Sequence, residues 1–198
     1  MSQPQRARDG SDAGFTLIEM LIYLAFTVVV LTLVGGMLIN ALNAQRSISS
    51  RSEATTSGQA IAQSVHAGVR AGVNHRLTST GVAADTDQLL VVQTLSLDHQ
   101  PGTCLAWFYT AQDGAVYYQR AAGDALITAP HGEDYTGWLL LATNVHSVGG
   151  IFNDTDSGDG TRIALSFTVA VGENSPPVRI ASTTISRDNR SETTQCWE

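Results

Sequence analysis

Three carboxylates and an amide fall within one short stretch, Asn153-Asp154-Thr155-Asp156-Ser157-Gly158-Asp159-Gly160. Calcium favours hard oxygen ligands, and glycine lets a chain bend around the ion, so Asp154, Asp156 and Asp159 are a candidate calcium set. The stretch has neither the spacing of an EF-hand loop nor its closing Glu, and the plainer reading is a solvated hairpin turn. Cys104 and Cys196 are the two cysteines. A disulfide between them would close a loop of roughly 90 residues, for which chain entropy gives about 4 to 5 kcal/mol before native strain. Neither has a second Cys or His at metal-ligand spacing, and two unrelated buried thiols are the alternative reading. The histidines, at 66, 75, 99, 131 and 146, form no H-x-x-x-H pair and read as surface or packing residues. A nucleophile elbow, a phosphate loop, a C-x-x-C and a paired-histidine zinc pattern are all missing from the sequence, so it announces no enzyme.

One further group could do chemistry. Glu19 is the sole charge in FTLIEMLIYLAFTVVVLTLVGGMLI, residues 15–39. A carboxylate inside an apolar helix costs roughly 2.5 to 3.5 kcal/mol on insertion scales, less near the membrane interface, and is tolerated where it gains a cationic partner. The plainer alternative is a Glu that snorkels to a membrane end and has no partner.

The elements that must position these groups follow from pattern. About 25 apolar residues at 1.5 Å each are enough to cross a hydrocarbon core of about 30 Å. Arg6 and Arg8 precede the run and favour a cytoplasmic N-terminus, against Asp9 and Asp12. Gly35 and Gly36 together cost about 2 kcal/mol of helix propensity and predict local loosening. Ile61, Val65 and Val69 recur at helical spacing, so an amphipathic helix is expected to continue to Gly72 or Asn74. Between the apolar run and Ile61, seven of the eleven residues from Ser47 to Ser57 are Ser or Thr. These are poor helix formers, and the reading is an exposed helix, with a short linker as the alternative.

Beyond the helix, β-branched and aromatic runs predict strands over Leu89–Leu95, Cys104–Thr110, Ala115–Arg120, Trp138–Ala142, Val145–Phe152, Ile163–Val171 and Val178–Ile185. Asp113-Gly114 is a hairpin signal between two of them. Trp107, Tyr109, Tyr117 and Tyr118 read as core and cross-strand pairs before they read as a ligand platform. The expected class is α+β, a long N-terminal helix packed on an antiparallel sheet. The net charge of −7, with no lysine, leaves no global footprint for nucleic acid, and Arg187 with Arg190 reads as a solvated turn.

The junction Gly14-Phe15-Thr-Leu-Ile-Glu19 resembles the class III prepilin signal of type IV pilins and pseudopilins. That resemblance implies cleavage by a prepilin peptidase between Gly14 and Phe15, N-methylation of Phe15, and pairing of Glu19 with the amine of a neighbouring subunit during filament assembly. It divides the chain into a leader at 1–14, a transmembrane and assembly helix at 15–40, an amphipathic continuation at 41–72 and a β-rich head at 73–198. Many major pilins carry a proline where this chain has the Gly35-Gly36 region. The layout from Asn144 to Val171, followed by Pro177 to Asn189, is similar to minor pilins of the PilW and J-type pseudopilin group. The implied partners are other pilin subunits, the peptidase, an inner-membrane assembly platform and, before assembly, the membrane itself. A single-pass anchor with the head outside, later drawn into an extracellular filament, is the implied location. No cofactor is expected apart from the calcium candidate, and direct DNA binding is not indicated. A permanently anchored extracellular binding or sensor domain is the alternative.

Overall fold

The computed structural model describes residues 16–80, 86–94, 102–122, 125–132, 134–154, 162–172, 176–186 and 196–197. Its one described helix, α1, covers Leu17–Ala71. The chain forms two compact units, Met1–Arg46 and Ser47–Glu198.

In the first unit α1 is largely apolar. Its large hydrophobic residues from Leu17 to Ile39 are all exposed. Length and composition suit this helix to crossing a membrane, and a signal sequence shares both properties. The helix runs through Gly35 and Gly36 without the loosening expected there. Neither glycine has a neighbour within 4 Å.

In the second unit the Ser/Thr-rich stretch is helix and not linker. Its hydroxyls fold back onto the helix's own carbonyls, Ser50 to Ser47, Thr55 to Arg51 and Thr56 to Ser52, at 2.8 to 3.2 Å. That satisfies groups which otherwise compete with the helical backbone. The buried stripe of α1 is Ala54, Gly58, Ile61, Val65, Gly68 and Val69. The spacing of the larger three was expected. The small residues among them are what let the helix lie close to the strands. A Cβ on Gly58 would stand 2.7 Å from Ile180 Cγ1, and one on Gly68 would collide with the Trp107 ring. Trp107 is fixed there by donating from Nε1 to Ser64 Oγ at 2.9 Å.

Among the described residues nine strands follow, and they make two antiparallel sheets where a single one was anticipated. The first is a meander of β1 (Gly72–Thr80), β2 (Asp87–Thr94), β3 (Cys104–Thr110), β4 (Ala115–Ala121) and β5 (Leu139–Ala142), in that order. The second has β8 (Arg162–Val169) at its centre, with β6 (Val145–His146) and β7 (Phe152–Asp154) on one side and β9 (Val178–Ile185) on the other. The Asp113-Gly114 hairpin forms as expected, Thr110 opposite Ala115, with Gly114 at φ 56°. Strand β1 was not anticipated. Its sequence, GVNHRLTST, has too few apolar residues to announce a strand. The run Val145–Phe152, read as one strand, is two, because Gly149 and Gly150 adopt φ 84° and 94° and turn the chain between them.

Alternation then sorts the side chains. Leu90, Val92, Trp107, Tyr109 and Val116 join Ile61, Val65 and Val69 of α1 and the inward row Ile163, Leu165, Phe167 and Val169 of β8 in one core. Leu89, Val91, Ala106 and Phe108 point the other way, into a second layer closed by Ile127, Cys104 and Cys196. The five-stranded sheet is thus covered on both faces, by helix on one and by chain around residues 125–138 and the C-terminal residues on the other. The result is α+β, a long apolar N-terminal helix with helix-on-sheet packing, which is a pilin-like architecture.

Candidate functional site

The polar groups of the apolar helix begin at its first turn. Thr16 precedes the first helical residue, and Glu19 lies three positions on. The Glu19 amide donates to Thr16 O at 3.0 Å and to Thr16 Oγ1 at 3.4 Å. T-x-x-E is the sequence of a capping box, and the structure shows its Thr half, the side chain meeting the amide of the third helical residue. The negative side chain also sits where the helix dipole favours it. One turn on, the Tyr23 hydroxyl donates to Glu19 Oε1 at 3.2 Å. Thr27 Oγ1 donates to the Tyr23 carbonyl at 2.7 Å. Glu19 was legible in the sequence as a lone acid in an apolar run. The cap and the tyrosine were also written there, as T-x-x-E and as an i, i+4 pair, and were overlooked beside the charge. Gly14 and Phe15, the expected cleavage site and modified terminus, lie outside the described residues.

In the second unit Cys104 and Cys196 form a disulfide across 92 positions. Cys104 faces the second core layer from β3, and Ile127 N donates to Cys196 O at 3.0 Å, so the bridge pins the end of the chain to the sheet's outer face.

Of the candidate calcium residues, Asp154 ends β7 opposite Ile163 and is exposed. Asp156 and Asp159 lie outside the described residues. Among the described residues no group of three or more His, Cys, Asp or Glu side chains is arranged to hold a metal. Asp154 does have an electrostatic role: its charge raises the pKa of His75 on β1, but burial outweighs it and leaves that histidine below its ordinary value of 6.5.

Several other chemistry-bearing groups make packing and hydrogen-bond contacts within the second unit. His66 shares a 3.0 Å hydrogen bond with Ser182 Oγ on β9, linking helix to strand. Trp107 and Tyr109 are buried, and Trp107 packs on Tyr118 at 5.6 Å between ring centroids, as expected of cross-strand pairs. On the outer face Tyr117 stacks on Tyr135 at 4.1 Å. Tyr135 donates to Asp113 Oδ2 at 2.8 Å. Desolvation and then the Asp113 charge push its pKa up to about 12. Sequence pattern gave no hint of Tyr135, since it lies in irregular chain with no periodicity.

Comparison of the chain with protein-family models, curated proteins and solved structures returns no match.

Proposed function

We propose that this chain is a structural minor pilin or pseudopilin, processed at Gly14 and assembled through its N-terminal helix into an extracellular filament. The observation that carries the reading is Glu19, a carboxylate set in the first turn of a helix whose apolar half has no other charge before Arg46. Such a group calls for a cation, and cleavage between Gly14 and Phe15 would create one at the same depth, the amine of Phe15 on an adjacent subunit. In the membrane the helix is solvated by lipid, and in a filament it exchanges lipid for the helices of other subunits. The head, a disulfide-bonded domain, then faces outside. Its irregular strands fit a subunit that primes assembly or sits near a tip, within a type IV pilus, a competence pseudopilus or a type II secretion pseudopilus.

One observation favours a second reading, a permanently anchored extracellular binding domain that keeps its leader. Glu19 is already engaged within its own helix, its amide donating to the Thr16 hydroxyl and its carboxylate accepting from Tyr23. Intact-mass analysis of the protein from its native host separates the two. The filament reading expects loss of residues 1–14 and a methylated Phe15, and recovery of the full-length chain overturns it.

A further inference from the structure

The polar side chains of the apolar segment are not scattered. Thr16, Glu19, Tyr23 and Thr27 follow one another by three, four and four residues, which places them on one face of a helix. Thr32, thirteen residues from Glu19, falls on the opposite side at 3.6 residues per turn, and it donates to Val29 O within its own turn at 2.8 Å. The face therefore carries one charge and one strong side-chain donor aimed at it, the Tyr23 hydroxyl at 3.2 Å from Glu19 Oε1.

We infer that Tyr23 is a positioning residue for Glu19, holding the carboxylate on this face of the helix while it is in lipid and presenting it there to the cation of an incoming subunit. The inference rests on the assembly reading above. In hydrocarbon a carboxylate without donors is driven to neutralise or to snorkel toward the interface. A phenol one turn deeper opposes the second, because it offers the carboxylate a hydrogen bond within the apolar segment. Being a neutral donor, it leaves the negative charge intact, so the pair remains matched to an ammonium group. The ring of Tyr23 is itself apolar and adds no charge to the membrane segment. Phenylalanine at this position keeps the ring and removes only the donor, which makes the substitution a clean probe.

The test is a double-mutant cycle in the native assembling host, measuring the ratio of this subunit in sheared filaments to that in the membrane pool. Tyr23→Phe is expected to lower the ratio about threefold to tenfold, the size of a typical net hydrogen bond. Glu19→Gln should lower it further, and the double variant should match Glu19→Gln, since Tyr23 acts only through the carboxylate. Normal assembly of Tyr23→Phe beside defective assembly of Glu19→Gln would overturn the inference alone. Normal assembly of Glu19→Gln would overturn the charge pairing and the inference with it, whereas absence of the wild-type chain from filaments would overturn the assembly reading. A second measurement does not depend on assembly: ultraviolet resonance Raman spectra of the full chain in phosphatidylethanolamine and phosphatidylglycerol vesicles, taken as wild type minus Tyr23→Phe. The difference spectrum is expected to show a donor phenol and to lose that signature in a Glu19→Leu background. An unchanged difference spectrum in that background means the phenol does not serve the carboxylate, whatever the filaments do.

Discussion

The side-chain amide of Gln88 pairs with the main chain of Phe152 at both ends, donating from Nε2 to Phe152 O at 2.8 Å and accepting from Phe152 N at 2.8 Å. Gln88 belongs to β2 and Phe152 to β7, so one buried amide substitutes for a strand in joining the two sheets. Gly150 lies so close to the Gln88 amide that a Cβ there would collide with it. Gln88→Leu keeps much of the volume and removes both bonds, stranding a buried N–H and a buried C=O. At about 1 to 3 kcal/mol for each stranded group, partly offset by the apolar side chain, the expected loss is roughly 2 to 4 kcal/mol in chemical denaturation. Gln93→Leu, on the same strand and half-buried, should cost under about 1 kcal/mol. Equal costs for the two would show that the bridge adds nothing beyond burial.

Gly68 sets the distance between α1 and β3. Alanine would gain about 1 kcal/mol of helix propensity there, but its methyl group would meet the Trp107 ring, which the Ser64 bond prevents from swinging away. Overpacking typically costs about 1 to 3 kcal/mol, so Gly68→Ala is expected to be net destabilising by up to about 2 kcal/mol. The double variant Gly68→Ala with Trp107→Phe should cost less than the sum of its singles, because the smaller ring vacates the space. Strict additivity in thermal melts would place the strain elsewhere.

These two residues also show where sequence reading succeeds and stops. The helix, the hairpin at Asp113-Gly114 and the strand Val178–Ile185 were legible because each is specified locally, by periodicity or by turn chemistry. The inward faces of Ile61, Val65 and Val69 were legible for the same reason. Gly58 and Gly68 were not, because a glycine within a helix discloses its purpose only when the side chain opposite is known. Strand β1 is ordered by its ladder with β2, from Asn74 opposite Gln93 to Thr80 opposite Asp87, and only weakly by its own composition. The division into two sheets falls between β5 and β6, where Asn144 takes φ 58°, and the bridge that rejoins them is Gln88, which looks like any polar residue flanking a strand. At the site, the isolated charge of Glu19 stood out, whereas its Thr16 cap and Tyr23 donor were hidden among residues that also suit a membrane helix.

His75 gives a pH signature. Its folded pKa lies below 6.5 through burial, with Asp154 opposing the shift. A histidine that binds its proton less tightly when folded contributes stability above the unfolded value, and that contribution is lost as the pH falls through about 6.5 toward the folded pKa. In an NMR titration the His75 ring should show a midpoint below 6.5, and Asp154→Asn should move it lower still by removing the charge that raises it. A midpoint unmoved by Asp154→Asn would mean that the carboxylate does not act on the ring.

The disulfide should be a large contributor to the second unit. With 92 positions between Cys104 and Cys196, the loop-entropy model gives about 4 to 5 kcal/mol, an upper figure where the reduced chain retains structure. Cys196→Ser is expected to lower stability by roughly 2 to 5 kcal/mol and to expose the layer of Leu89, Val91 and Phe108, read as increased hydrogen exchange in β2 and β3. Loss confined to the last few residues, with β2 and β3 protected as in the wild type, would reduce the bridge to a local clasp.

Glu19 has two candidate roles, a helix cap and a charge awaiting a partner, and one substitution separates them. Gln serves the third position of a capping box as well as Glu does, because the box needs an acceptor side chain and the Thr16 hydroxyl, and no charge. Glu19→Gln therefore preserves the start of α1 while abolishing attraction to an ammonium group, whereas Thr16→Val does the reverse and should cost about 1 kcal/mol of helix stability. If assembly depends on charge, Glu19→Gln leaves removal of residues 1–14 largely intact and sharply reduces incorporation into filaments, and Thr16→Val is the milder variant. If the cap is what matters, the order reverses. Leader removal is read by intact mass and incorporation by quantifying sheared filaments against the membrane fraction, so a processing defect and an assembly defect are scored separately.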